Sequence, residues 1–155
     1  IIRLIENCRS EGVKTFIGDF GEHNTAARAR TQMLNACLSK DEVIHLADLS
    51  RERLLALDEP CAILVSSQYY AQSVIQEYPD IFKDLEYYVA CFDAWQGDCF
   101  PAKKAFVAIQ DFEGMALQAV ELCTRLIEGH EQRADAYTAV EVPIKSFETY
   151  TSSYA

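Results

Sequence analysis

Polar residues gather at the places where predicted strands run out. The first strand ends near Asp19, Glu22, His23 and Asn24; another gives Ser66, Ser67 and Gln68; a third gives Asp93, Trp95 and Gln96; a fourth gives Gln110 and Asp111. Amides, hydroxyls, carboxylates and aromatic rings together suit the recognition of a polyhydroxylated ligand: planar polar groups pair with hydroxyls, and rings cover the apolar face of a sugar. Helix capping accounts equally for Asn24, Ser67 and Asp111. Bond-making chemistry has less support. The chain has no Gly-x-Ser-x-Gly elbow, no Walker loop and no Gly-x-Gly-x-x-Gly after its first strand. Gly18-Asp19-Phe20-Gly21 carries two glycines, and with Asp19 and Glu22 it would repel a pyrophosphate. His23, His45 and His130 fall in different elements, and Cys91 has no basic neighbour in sequence to activate its thiol. Neither an enzyme nor a cofactor is expected.

The elements that must position these groups are predicted from periodicity. Ile1, Ile2, Leu4, Ile5 and Cys8 form a helical stripe that stops at Gly12, and Val13 to Ile17 reads as a strand. Asn24 or Thr25 caps a helix to about Leu38. A second strand covers Val43 to Leu46, and Ser50 opens a helix to Leu57. Cys61 to Val65 is an unbroken apolar run, as in a parallel strand covered on both faces. Tyr69 to Ile75 is helical, and Tyr78-Pro79 breaks it. Strands follow at Tyr87 to Phe92 and Ala105 to Ile109. Asp111 then opens a helix with a broad apolar stripe that stops at Gly129, and a last strand is predicted around Val140 to Ile144. This alternation gives an α/β fold with a doubly wound, mainly parallel sheet.

Composition narrows the class further. The 155 residues, 50% hydrophobic and 25% charged, suit one folded domain. No apolar run approaches the roughly 20 residues that span a bilayer, so no membrane association is expected. The net charge of −10, from 24 acidic and 14 basic residues, would repel a phosphate backbone, so direct contact with nucleic acid is not expected from these residues. The cysteines Cys8, Cys37, Cys61, Cys91, Cys99 and Cys123 lie mostly within apolar stretches, without Cys-x-x-Cys or Cys/His ligand spacing. Buried free thiols in a reducing cytoplasm are expected rather than disulfides or zinc. The opening Ile1-Ile2-Arg3 has neither an initiator Met nor a secretory pattern, and reads as the start of a piece excised within a helix.

Four segments in order carry a resemblance. Thr25-Ala-Ala-Arg28-Ala-Arg30-Thr-Gln-Met33-Leu34 resembles the S-x-x-R-x-R-x-x-G-[FYW] helix of the effector domain in LacI/GalR transcription regulators. Cys61 to Ala71 is similar to that family's strand-to-helix junction A-[IL]-[FL]-x-x-[NS]-D-x-x-A, and Tyr88 to Asp93 to its V-V-G-[FY]-D-[DN] strand. Ile109-Gln110-Asp111-Phe112 and the stretch to Gly129 look like its Gln-bearing crossover followed by G-x-x-A-x-x-x-L-L-x-x-I-x-G. The resemblance implies a Rossmann-like lobe of a two-lobed fold like that of periplasmic binding proteins. Residues 1–110 would form the C-terminal lobe, 111–130 a helix crossing toward an N-terminal lobe outside this chain, and 131–155 a return strand and tail. It implies a homodimeric, cytoplasmic repressor that senses a small carbohydrate or sugar phosphate and contacts operator DNA through an N-terminal headpiece absent from this chain. It further implies Arg30 as principal effector contact, with Asn24, Ser67, Gln68, Asp93, Gln110 and Phe112 beside the cleft.

Several positions depart from the pattern. Met33 stands where the family has a small glycine, which implies altered helix packing; Gln68 replaces the common Asp, and Leu49 an aromatic residue. The Ser66-Ser67 junction looks somewhat like the fructose repressor (catabolite repressor/activator) branch, whose effectors are phosphorylated. A periplasmic-type sugar-binding protein of a transporter is the alternative on the same fold. A receiver domain needs a phospho-accepting Asp after the third strand, where this chain has Ser66-Ser67-Gln68.

Overall fold

The structure, a computed structural model, describes residues 1–21, 24–92, 102–129 and 142–148. Elements run in the order α1 (Ile2–Ser10), β1 (Thr15–Asp19), α2 (Thr25–Cys37), β2 (Val43–Ile44), α3 (Arg51–Leu55), β3 (Cys61–Val65), α4 (Gln68–Glu77), α5 (Pro79–Phe82), β4 (Tyr87–Phe92), β5 (Lys104–Ala108), α6 (Phe112–Ile127) and β6 (Ile144–Glu148). A short 3-10 turn, Leu46–Asp48, follows β2. One sheet of six strands results, in the order β2-β1-β3-β4-β5-β6, parallel except for β6. This is the doubly wound, mainly parallel α/β fold that the alternation of elements predicts.

Strand residues alternate between two cores. Ile17, Cys61, Ile63, Val65, Tyr87, Val89, Cys91, Ala105 and Val107 face Leu54 of α3, Ala71 and Val74 of α4, and Ile81 and Phe82 of α5. Phe16, Ala62, Leu64, Tyr88, Ala90 and Phe106 face Leu4, Ile5 and Cys8 of α1 and Leu34 of α2. The period-2 pattern therefore covers both faces of the sheet, and every residue of β3 is buried. Lys104 of β5 donates to Glu11, just beyond α1, at 2.7 Å, adding a polar tie across one flank.

Boundaries move where pairing overrides local signals. Gly12, at φ +91°, carries the chain out of α1. Strand β1 then begins at Thr15, opposite Cys61, so Val13 and Lys14 belong to the approach. Pro79 ends α4 as predicted but also starts the short α5 as its first residue, where a missing N–H costs nothing. The last strand lies beyond its predicted place: the Pro143 carbonyl accepts from Ile109 N–H, and ladder pairing with β5 runs from Ile144. Met33, predicted to force altered helix packing, is 43% exposed and faces solvent. Leu49 packs at the margin of the α3–α4–α5 core.

Tyr87 is 1% exposed, meets Phe82 edge-on at 5.1 Å between ring centroids, and its hydroxyl has no hydrogen-bond partner among the described residues. Burial holds that phenol above its usual pKa, so the neutral, unpaired O–H is what the core carries. Tyr87→Phe keeps the ring and removes the orphan group. Stability in urea is expected to stay level or rise by up to about 1 kcal/mol; a loss of that size would mean the hydroxyl is satisfied.

Helix α6 differs from the others in having no buried residue. Phe112, Leu117, Val120 and Ile127 are all more than half exposed. No described helix is long and apolar enough to cross a membrane.

Candidate functional site

The strand order sets where a crevice can form. Chain order reverses between β1 and β3: β1 leads to α2 on one face, whereas β3 leads to α4 on the other. At such a switch point the two outgoing loops diverge and leave a gap beyond the carboxyl ends of the strands. Asp19, the last residue of β1, pairs in register with Val65, the last of β3. A cavity of about 200 Å³ opens there, lined by Asp19, Phe20, Gly21, Leu46, Ser66 and Tyr70.

The same rim receives most of the residues singled out in the sequence. Asn24 is the N-cap of α2, and its Oδ1 accepts from Ala27 N–H at 2.8 Å. Its oxygen is therefore partly engaged by the helix, and the amide donors remain for a ligand. Arg30 lies further along α2, half-buried, with its guanidinium carbon 4.1 Å from the centroid of the Phe92 ring. Phe92 closes β4 and meets Phe20 edge-on at 5.9 Å and 76°. A cation over an aromatic face at that distance is favourable. The result is that a residue of α2 is fixed above the carboxyl end of β4.

Ser67 is the N-cap residue of α4, yet its side chain makes no capping hydrogen bond, unlike Asn24, Ser50 and Asp111 at the starts of α2, α3 and α6. Its hydroxyl is therefore not explained by capping. Gln68 has the opposite character: it is 7% exposed, the one buried polar residue among those described, and it makes interactions of its own. A side chain so enclosed contributes to the rim by holding it rather than by meeting a ligand. Gln110 follows β5 and is also engaged by other groups. Phe112 is the first residue of α6 and 63% exposed, beside Asp111, whose Oδ1 accepts from Gly114 N–H at 2.9 Å. Asp93 lies outside the described residues, as do Glu22, His23, Trp95, Gln96, Cys99 and His130.

The structure brings Asn24, Arg30, Ser67, Gln68, Gln110 and Phe112 to the carboxyl-end side of one sheet, although each plays a different part there. It also adds Phe20, Tyr70 and Phe92, whose signal in the sequence is only that aromatic residues stand at or just after strand ends. Asp19 appears in the sequence chiefly as a reason against a pyrophosphate; in the fold it lines the crevice.

Nucleophilic chemistry finds little footing in the described thiols. Among the described residues, Cys8, Cys37, Cys61, Cys91 and Cys123 form no disulfide. Burial pushes the Cys8 and Cys61 thiols up to about 12, so both stay protonated and inert at neutral pH. Among the described residues no group of three or more His, Cys, Asp or Glu is placed to hold a metal ion. In comparisons with family models, curated proteins and solved structures, nothing matches this chain.

Proposed function

We propose that this chain is the effector-sensing lobe of a sugar-responsive transcription regulator of the LacI/GalR type, whose DNA-binding headpiece lies outside these residues. The observation that carries the reading is the crevice between the ends of β1 and β3, with Arg30 held over Phe92 beside it. A guanidinium fork offers paired donors to ligand hydroxyls or to a phosphate. The uncommitted Ser67 hydroxyl, the Asn24 amide and the exposed Tyr70 ring that lines the crevice add to a surface suited to a small carbohydrate or sugar phosphate.

Helix α6 supports a two-lobed arrangement. Its apolar stripe is left exposed by the described residues, as expected of a helix over residues 111–130 that crosses to pack on an N-terminal lobe. Closing two lobes on an effector would then alter operator affinity by linkage, because the effector binds one lobe arrangement better than the other. The net charge of −10 fits a division in which the headpiece, and not this surface, contacts DNA. A homodimer in the cytoplasm without catalytic activity is the matching biological setting. The free thiols favour it over the transporter-binding protein, whose oxidising compartment would pair them.

Amide NMR titration tests the reading directly. D-fructose, D-glucose and fructose 1-phosphate are added in turn to the chain. A single lobe supplies only part of the contacts, so a Kd of about 1 mM, roughly −4 kcal/mol, is the expected scale. Shifts at Gly21, Ser66, Ser67 and Phe92 with at least one sugar are the expected outcome; a rim that no probe perturbs would remove the basis for a sugar sensor.

A further inference from the structure

Two poles divide the crevice. On the β1 side stands Asp19, whose Oδ1 accepts from Gly21 N–H at 2.7 Å. No hydrogen bond or ion pair engages its Oδ2 among the described residues. The cavity it lines is also bounded by Phe20, Gly21, Leu46 and Tyr70, with Ser66 as a second polar group, and none of the described lining residues is a Lys, Arg or His. On the β4 side stands Arg30 over Phe92, and the Phe92 ring in turn meets edge-on the ring of Phe20, the residue after Asp19.

These surroundings discriminate between ligand groups. A phosphate or carboxylate in the β1 cavity would face the Asp19 carboxylate with no cation among the described lining residues, and like charges at short range in a partly enclosed site repel strongly. A hydroxyl there donates to a charged acceptor, the stronger class of hydrogen bond, while Tyr70 and Leu46 cover adjoining C–H groups. The volume of about 200 Å³ accommodates one end of a small polyol rather than a large ligand.

We infer that Asp19 is the specificity-determining residue of the crevice: it takes the uncharged, hydroxyl-bearing end of the ligand between the ends of β1 and β3, and any anionic substituent lies on the Arg30 side. This rests on the crevice being the effector site, and it deepens that reading by giving the ligand a direction.

The test is the NMR titration carried out with wild type, Asp19→Asn and Tyr70→Ala, using D-fructose, fructose 1-phosphate and inorganic phosphate as probes. Asp19→Asn keeps the acceptor for Gly21 N–H and removes only the charge. It is expected to weaken D-fructose binding about tenfold, the scale of a lost charge-assisted hydrogen bond. Tyr70, 55% exposed, can be truncated without threatening the core, and Tyr70→Ala is expected to weaken D-fructose several-fold while leaving phosphate unaffected. In wild type, inorganic phosphate should move the Arg30 and Phe92 amides and leave Gly21 and Ser66 in place. Fructose affinity that survives both substitutions, or phosphate shifts centred on Gly21 and Ser66, would overturn the Asp19 assignment while leaving a sugar sensor standing. Absence of any rim shift with every probe would overturn both together.

Discussion

Gly18→Ala is expected to lower stability by about 3 kcal/mol or more, the upper range for forcing extra volume into a packed interior. Gly18 lies inside β1 and pairs with Leu64 of β3. A Cβ built there would stand 2.0 Å from the Leu64 carbonyl oxygen and 2.9 Å from its carbonyl carbon. Those atoms are ladder backbone of a fully buried strand, so no side chain can swing aside to make room. Relief requires β1 and β3 to part, next to the Asp19–Val65 pair that floors the crevice. The variant should therefore lose ligand binding along with stability, or fail to fold. Guanidinium unfolding checks this. Gly12→Ala is the useful contrast: φ is +91° but nothing lies within 4 Å, so only backbone strain of about 1 kcal/mol is expected. If Gly18→Ala cost no more than that control, the close approach of the two strands would be wrong.

Arg30→Ala carries the largest expected effect on binding. Arg30 is only half-buried and stacks on the Phe92 ring, so the fold should lose about 0.5–1 kcal/mol, the value of an exposed cation–π pair. If Arg30 is the effector contact proposed, sugar affinity should fall much further, by about tenfold to a hundredfold, the scale of losing two charge-assisted hydrogen bonds at once. Arg30→Lys separates charge from geometry. The ammonium preserves the cation over the ring but not the planar fork, so affinity should lie between wild type and alanine. Calorimetric or NMR titration beside thermal unfolding reads both quantities. Unchanged affinity in a folded Arg30→Ala variant would take away the principal contact of the sensor reading.

Much of the fold is readable along the chain because its causes are short-ranged. Cys61–Val65 and Tyr87–Phe92 appear as strands with the same ends in sequence and structure, since unbroken apolar runs have no stable place except between two helix layers. The caps Asn24, Ser50 and Asp111 act where their side chains can reach an N–H three residues on, which is a local matter. The apolar stripe of α6 is equally visible, although only the structure shows that none of the described residues buries it.

Long-range pairing decided the rest. Nothing local to Asp19 announces Ser66 or Tyr70 as neighbours; β1 must first be paired with β3, and the strand order must reverse there, before they share a cavity. Arg30 reads as a helix arginine until α2 packs over the sheet and sets it on Phe92. Ser67 and Gln68 are adjacent polar residues in the sequence, yet one is left without a capping bond and the other is enclosed, a difference created by the turn into α4. Residue types and their spacing specify which segments form and which face each one buries. The positions of side chains relative to one another depend on which buried faces meet, and that is settled only when the two cores close on the sheet.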